Sequence, residues 1–281
     1  MQPEIEISAY LREQTFVAFD TETTGLWAPA NRVIEIGAVK FRCGQSETEV
    51  FESLVNPKRS IPPESIRVHG ITDDMLVDAP EAAGVIADFM SFCSPDSILI
   101  AHNAPFDISF VGCELERAEL DFGENTILDT VDLFQRYVPG LSSYSLLGLA
   151  RHYSIAETQD HRALGDAVLV QKLFELIAPK FGNIKKKSDF SHMASTYAMD
   201  DWRAQQADLP QEHSELNRAR DEKLRVHIVY QTPSNQPTTR VIRPEHFYQL
   251  GEIYYINAYC ERARGERTFR LDRIGEFKVI E

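Results

Sequence analysis

The chain has 281 residues, 43% of them hydrophobic, enough for one large and one small globular domain. No run of about 18 uncharged apolar residues occurs, which excludes a membrane-spanning helix, and four scattered cysteines without C-x-x-C pairs or zinc-like histidine spacing exclude a disulfide framework or structural zinc site. The net charge of −14 argues against a purely electrostatic nucleic-acid binder, because nonspecific affinity for polyanions comes from Lys and Arg.

The start, MQPEIEISAYLREQ, lacks the basic-then-apolar plan of a signal peptide, so a soluble cytoplasmic protein is expected. Phe16 to Phe19 is a short apolar strand leading into Asp20, and Arg32 to Arg42 and Glu49 to Val55 are further β-like runs. The short connections leave no room for crossover helices and predict an antiparallel meander. Asp78, Ala79 and Pro80 signal a helix start, with apolar residues at helical spacing as far as Cys93. Ser97 to Ala101 returns to strand; Asn103, Ala104 and Pro105 open a helix to about Leu120, and two or three more precede Ala178 and Pro179. A β meander followed by βα units indicates an α/β domain with a mixed sheet over residues 1–180.

Residues 181–211 have little periodicity and read as a linker with at most a short helix. A helix over Ser214 to Leu224 and short strands at Val226 to Tyr230, Arg240 to Ile242, Glu252 to Cys260 and Thr268 to Leu271 then predict a small all-β barrel over 212–281. The charge follows this division: ten Lys or Arg face seven Asp or Glu from residue 223 on, a net of +3, leaving −17 on the residues before it. Such acidity suits a site where bound cations supply positive charge.

Asp20 and Glu22 stand two apart at the end of an apolar strand, so their side chains share a face and repel one another unless a cation holds them or solvent screens them. Asp107 falls in the first turn of its helix, where the helix dipole alone would favour it. Asp166 shares a helical face with Ala163, Ala167, Val170, Phe174 and Ile177, and an acid on an apolar stripe needs a partner. His161, five residues earlier, would point about 140° away on a continuous helix. Both can face one site only if His161 precedes the helix, with Asp160 as a plausible cap.

The segments FDTETTGL (Phe19 to Leu26), AHNAPFD (Ala101 to Asp107) and HRALGDA (His161 to Ala167), in this order, resemble the DEDDh (DnaQ-like) exonucleases, a family that includes the epsilon-like proofreading subunit of bacterial DNA polymerase III. IRVHGIT (Ile66 to Thr72), LDTVDLFQRYVPG (Leu128 to Gly140) and SLLGLARHYSI (Ser145 to Ile155) look like the family's connecting segments. The resemblance implies an RNase H-like fold and a 3′-to-5′ exonuclease that releases nucleoside 5′-monophosphates from single-stranded DNA, with RNA as the alternative polymer. It implies Asp20, Glu22, Asp107 and Asp166 as ligands of two divalent ions about 4 Å apart, magnesium with manganese as substitute, and His161 as general base. Thr23, Leu26 and His69 are the expected nucleotide contacts, whereas His102 and Asn103 are expected to be structural, Asn103 as a helix cap.

The stretch from Ile228 to Ile274 resembles a WYL domain, a small Sm-like or SH3-like barrel, through the Tyr230 strand, Arg240, Pro244 and RTFRLDRI (Arg267 to Ile274). It departs at the naming motif, with Ile253, Tyr254 and Tyr255 in the place expected for Trp-Tyr-Leu. Arginines interleaved with aromatic residues offer phosphate pairing and base stacking, which makes Tyr254, Arg267 and Arg270 expected nucleic-acid contacts. The bland alternative is a set of surface ion pairs with Glu261, Glu266 and Asp272. A polymerase partner is not implied, and the appendage suggests DNA repair or nucleic-acid turnover. The rival from another class is a non-catalytic nucleic-acid sensor.

Overall fold

The computed structural model describes residues 7–182, 184–205, 207–231, 237–250 and 253–280. The first six residues of the start read above for a leader, Glu252 of the expected strand, and the side chains of Ile253 and Glu266 lie outside that description. Two compact units result, Met1–Asp201 and Trp202–Glu281.

The first unit opens with helix α1 (Ala9–Glu13), which Ser8 caps by accepting from the Leu11 N–H. Strands β1 (Phe16–Thr23), β2 (Val33–Phe41) and β3 (Thr48–Leu54) form an antiparallel meander. Two short helices, α2 (Pro63–His69) and α3 (Asp73–Leu76), lead to α4 (Ala82–Cys93). Then follow β4 (Ile98–Ala101), α5 (Ala104–Arg117), β5 (Ile127–Asp129), α6 (Thr130–Tyr137), α7 (Leu146–His152) and α8 (Ala163–Ile177). The stretch expected to be a linker is partly built into this unit, because β6 (Thr196–Tyr197) pairs antiparallel with β5.

The sheet order is β3-β2-β1-β4-β5-β6, with β1, β4 and β5 parallel. The period of two divides the side chains of β1 between its faces. Phe16 and Ala18 enter the core that α8 completes, where the Phe16 and Phe174 rings lie 4.9 Å apart. Phe19 points to the other face and meets Phe89 of α4 at 5.5 Å. Both faces of β1 are therefore buried from Phe16 to Phe19, and the partly exposed Asp20 and Glu22 stand toward its carboxyl end. In open α/β sheets that end is where ligands bind.

Local chemistry sets the helix starts around this edge. Asp129, at the end of β5, caps α6 through the Val131 N–H and also accepts from the Asn103 N–H, each at 2.9 Å. Asn103 does occupy the cap position of α5, but its side chain makes no capping bond; it takes a left-handed φ of 67° instead. His102 is fixed between the Thr130 hydroxyl at 2.8 Å and the Tyr144 carbonyl at 2.9 Å, and burial pushes its pKa down to about 4.

The second unit consists of α9 (Ser214–Asp221) and the strands β7 (Arg225–Gln231), β8 (Pro237–Leu250), β9 (Ile253–Cys260), β10 (Gly265–Arg270) and β11 (Ile274–Ile280). Their order is β10-β9-β8-β7-β11, all antiparallel, with a single 3-10 turn at Leu271–Arg273 joining the strands at the two ends. Leu216 and Ala219 of α9 pack with Val226, Ile242, Ile256 and Phe269 in this unit's own core. Strand β8 is far longer than its expected three residues because a bulge between Pro244 and His246 lets pairing continue past the proline.

Candidate active site

The site follows from the pairing of β1 with β2. Asp20 stands opposite Gly37, and Glu22 opposite Glu35. Directly paired residues share a face, so Asp20, Glu22 and Glu35 project together, and the fourth position on that face carries no side chain. The vacancy is used by α8: a Cβ on Gly37 would lie 2.0 Å from the Leu164 nitrogen and 2.3 Å from the Ala163 carbonyl carbon. The first turn of α8 thus rests on the strand backbone and brings Asp166 to the acids of β1.

Ligand atoms of Glu22, His161 and Asp166 lie within 4.8 Å of one another. Asp20 is in electrostatic contact with Asp107, Asp166, Glu22 and Glu35. Asp107 arrives from α5, 2% exposed, and its Oδ1 accepts from both the Thr21 N–H at 2.9 Å and the Thr21 hydroxyl at 2.8 Å. The Gln159 amide donates to Asp166 Oδ2 at 2.6 Å. All five residues expected to carry the chemistry therefore converge on one edge.

His161 lies before the helix, as the geometry of the spacing requires, with a left-handed φ of 49°. The cap is not Asp160. Arg162 holds the cap position without a capping side chain, and the Glu35 carboxylate accepts from the Ala163 N–H at 2.9 Å instead. The same carboxylate binds the Arg162 guanidinium through Nε, 3.0 Å from each oxygen, and through Nη2.

Burial and mutual repulsion raise the acids. Asp20 is pushed well above the carboxylate range by burial and then by Asp107, Asp166, Glu22 and Glu35. Glu22 rises to about 8 by burial and by Asp166, Glu35 and Asp107, against the lowering effect of Arg162. Burial lifts Asp107 to about 7 although its Thr21 hydrogen bonds oppose the change, and burial also raises Asp166. Clustered, largely buried hard oxygen donors of this kind are the donor set a divalent cation satisfies.

The expected nucleotide contacts are placed unequally. Leu26 projects into solvent, 84% exposed, from the turn after β1. That turn is anchored by Glu114, which binds Arg32 at 2.6 and 2.9 Å and Arg117 at 3.1 Å, while Arg117 donates to the carbonyls of Ala28, Pro29 and Asn31. Thr23 is buried and its hydroxyl donates to the Gly25 carbonyl at 2.6 Å. His69 is buried too, and its Nδ1 accepts from the Ile71 N–H at 3.0 Å. In the second unit, Tyr254 packs against the core, Arg267 is exposed, and Arg270 is held by Asp272 at 3.0 and 2.7 Å, in line with the ion-pair alternative.

A family model described as exonuclease matches residues 17–174, and one described as WYL domain matches residues 211–279. The chain belongs to the exonuclease family. This exonuclease is 40% identical over 161 residues to the DNA polymerase III subunit epsilon of Treponema pallidum, a match covering 57% of the chain and 74% of that protein. It is 41% identical over 178 residues to the PolC-type DNA polymerase III of Oceanobacillus iheyensis, covering 60% of the chain but only 12% of the polymerase. Among solved structures, a 3′-exonuclease described as recognising the 3′ end of a histone mRNA stem-loop shares the fold, with a TM-score of 0.52 at 15% identity over 59% of this chain and 64% of that one.

Sequence reasoning missed Glu35, Gly37, Arg162, Gln159 and Thr21. Glu35 carried the same signal as Asp20, an acid inside an apolar strand between Ile34 and Ile36. Nothing in the sequence marks Gln159.

Proposed function

We propose that this exonuclease removes nucleotides from the 3′ end of single-stranded nucleic acid, DNA in preference to RNA, releasing nucleoside 5′-monophosphates. The convergence of Asp20, Glu22, Asp107, Asp166 and His161 on the carboxyl edge of the sheet carries this reading. The four acids would hold divalent cations, magnesium by preference and manganese as a substitute, which neutralise the phosphate and promote ionisation of water. His161, outside the helix and beside Glu22 and Asp166, accepts the proton of the attacking water. Leu26 packs against the terminal base, and the backbone around Thr23 and the buried His69 shape the floor beneath it.

The WYL-like unit would hold the strand upstream of the digested end, or sense a nucleic-acid ligand, through Tyr254, Arg267 and Arg270. Removing residues 212–281 is then expected to raise the substrate concentration needed for cleavage or to change its regulation. Unchanged affinity and rate would dismiss that assignment.

The direction and product are tested with a strand labelled at its 3′-terminal nucleotide. Release of labelled nucleoside 5′-monophosphate as the first product is expected, and internal fragments appearing first would reject the reading.

A further inference from the structure

We propose that Glu35 and Arg162 are positioning residues for the reaction, forming a clamp that sets the backbone of His161 and the first turn of α8 against β1. The proposal rests on the nuclease reading above and deepens it.

Glu35 is fully buried beside Glu22, where a further negative charge is unfavourable to the acids around it. A buried ion pair is weak evidence for stability, since hydrophobic replacements of similar volume often do as well. What the pair does here is geometric. The carboxylate of Glu35 takes three different donors from two consecutive residues: Nε and Nη2 of Arg162 and the main-chain N–H of Ala163. These are the two residues that follow His161, and the forked guanidinium fixes direction as well as distance. His161 itself has a φ of 49°, a region that is unfavourable for a non-glycine residue and persists only when its surroundings impose it. The clamp is the imposing contact: it ties the residue after His161 to the strand whose neighbour carries Asp20 and Glu22.

The Gly37 contact explains why two devices are needed. It lets the Ala163–Leu164 backbone approach the strand, but its nearest contacts are with those two residues and leave the freedom of His161 and Arg162 to be set by other bonds. Arg162, with 39% of its side chain exposed, closes that freedom from the outer side.

Two readouts test the clamp, one independent of turnover. In the metal-free full-length protein, amide exchange followed by NMR should show Ala163 protected, and Glu35→Ala or Arg162→Met should speed its exchange by about tenfold or more. In magnesium, Arg162→Met should lower kcat by about 10- to 100-fold with KM changed less than about threefold, the size expected for a misplaced catalytic group. The same substitution in a His161→Ala background should cost less than about threefold, because a residue acting through His161 has nothing left to position. The clamp is overturned if Ala163 exchange is unaffected, or if the loss from Arg162→Met persists undiminished without His161. An inert wild-type protein, indistinguishable from an Asp20→Asn control, overturns the nuclease reading and the clamp's part in cleavage together; the exchange data tell that failure apart from failure of the clamp geometry.

Discussion

Replacing Gly37 with alanine probes how the site is assembled without touching any group that meets substrate. The added Cβ would lie 2.0 Å from the Leu164 nitrogen, 2.3 Å from the Ala163 carbonyl carbon and 2.4 Å from the Leu164 Cα, all main-chain atoms, whereas ordinary contacts begin at 3.4 Å. The start of α8 would have to retreat by about 1.4 Å, carrying Asp166 and His161 away from Asp20 and Glu22. Overpacking of this kind costs about 1 to 3 kcal/mol or more, and a displacement near 1 Å costs about 100-fold in rate. Gly37→Ala should therefore lower the melting temperature and reduce magnesium-dependent kcat by about two orders of magnitude. Gly84→Ala is the control: its Cβ would meet nothing within 4 Å, and in the first turn of α4 alanine should stabilise by a fraction of about 1 kcal/mol without altering kcat. A Gly37→Ala protein with wild-type melting and kcat would refute the assembly argument.

Burial lowers His102 in the folded protein to about 4, below the usual histidine value of about 6.5, so the neutral ring favours folding. Its contribution is present above about pH 6.5 and is lost as the pH falls toward 4, at most about 3 kcal/mol, so urea unfolding should show His102→Gln less acid-sensitive than wild type; parallel pH profiles would contradict this. The opposite sign holds for Glu22 and Asp107, raised to about 8 and about 7: their contribution is full at low pH and lost as the pH rises through those values. Without metal, melting should fall progressively between about pH 4 and about pH 8, Asp20→Asn should narrow that fall, and magnesium should stabilise more at the upper end of the range; equal stabilisation at both ends would oppose the cluster. Glu114→Ala leaves two partly exposed guanidiniums without their buried carboxylate and should cost about 3 kcal/mol by denaturant titration, with faster amide exchange around Leu26.

The meander and the long helices were legible because their signals are local: apolar alternation with short connections, and apolar stripes bounded by Pro and Asn. The helices α2 and α3 were not, since seven and four residues carry too little periodicity, and β6 is two residues recognisable only from its pairing with β5. Strand β11 was hidden because its burial is only partial and its pairing with β7 spans the whole second unit. For the site, Asp20, Glu22 and Asp166 could be suspected from their apolar surroundings, Asp107 had a sufficient explanation in the helix dipole, and the resemblance of the three motifs in order supplied the grouping. What holds them together was not readable. Gly37 acts by the absence of a side chain, and Glu35 with Arg162 by a contact across 127 positions of sequence.

The central claim is tested most directly by incubating 5′-labelled single-stranded DNA and RNA with the full-length protein in magnesium, alongside EDTA and an Asp20→Ala variant, and resolving the products on a denaturing gel. Progressive shortening from the 3′ end, faster on DNA and lost in both controls, is the predicted result. Binding of the strands without shortening, in magnesium or manganese, would contradict it and favour a nucleic-acid sensor built on an exonuclease fold.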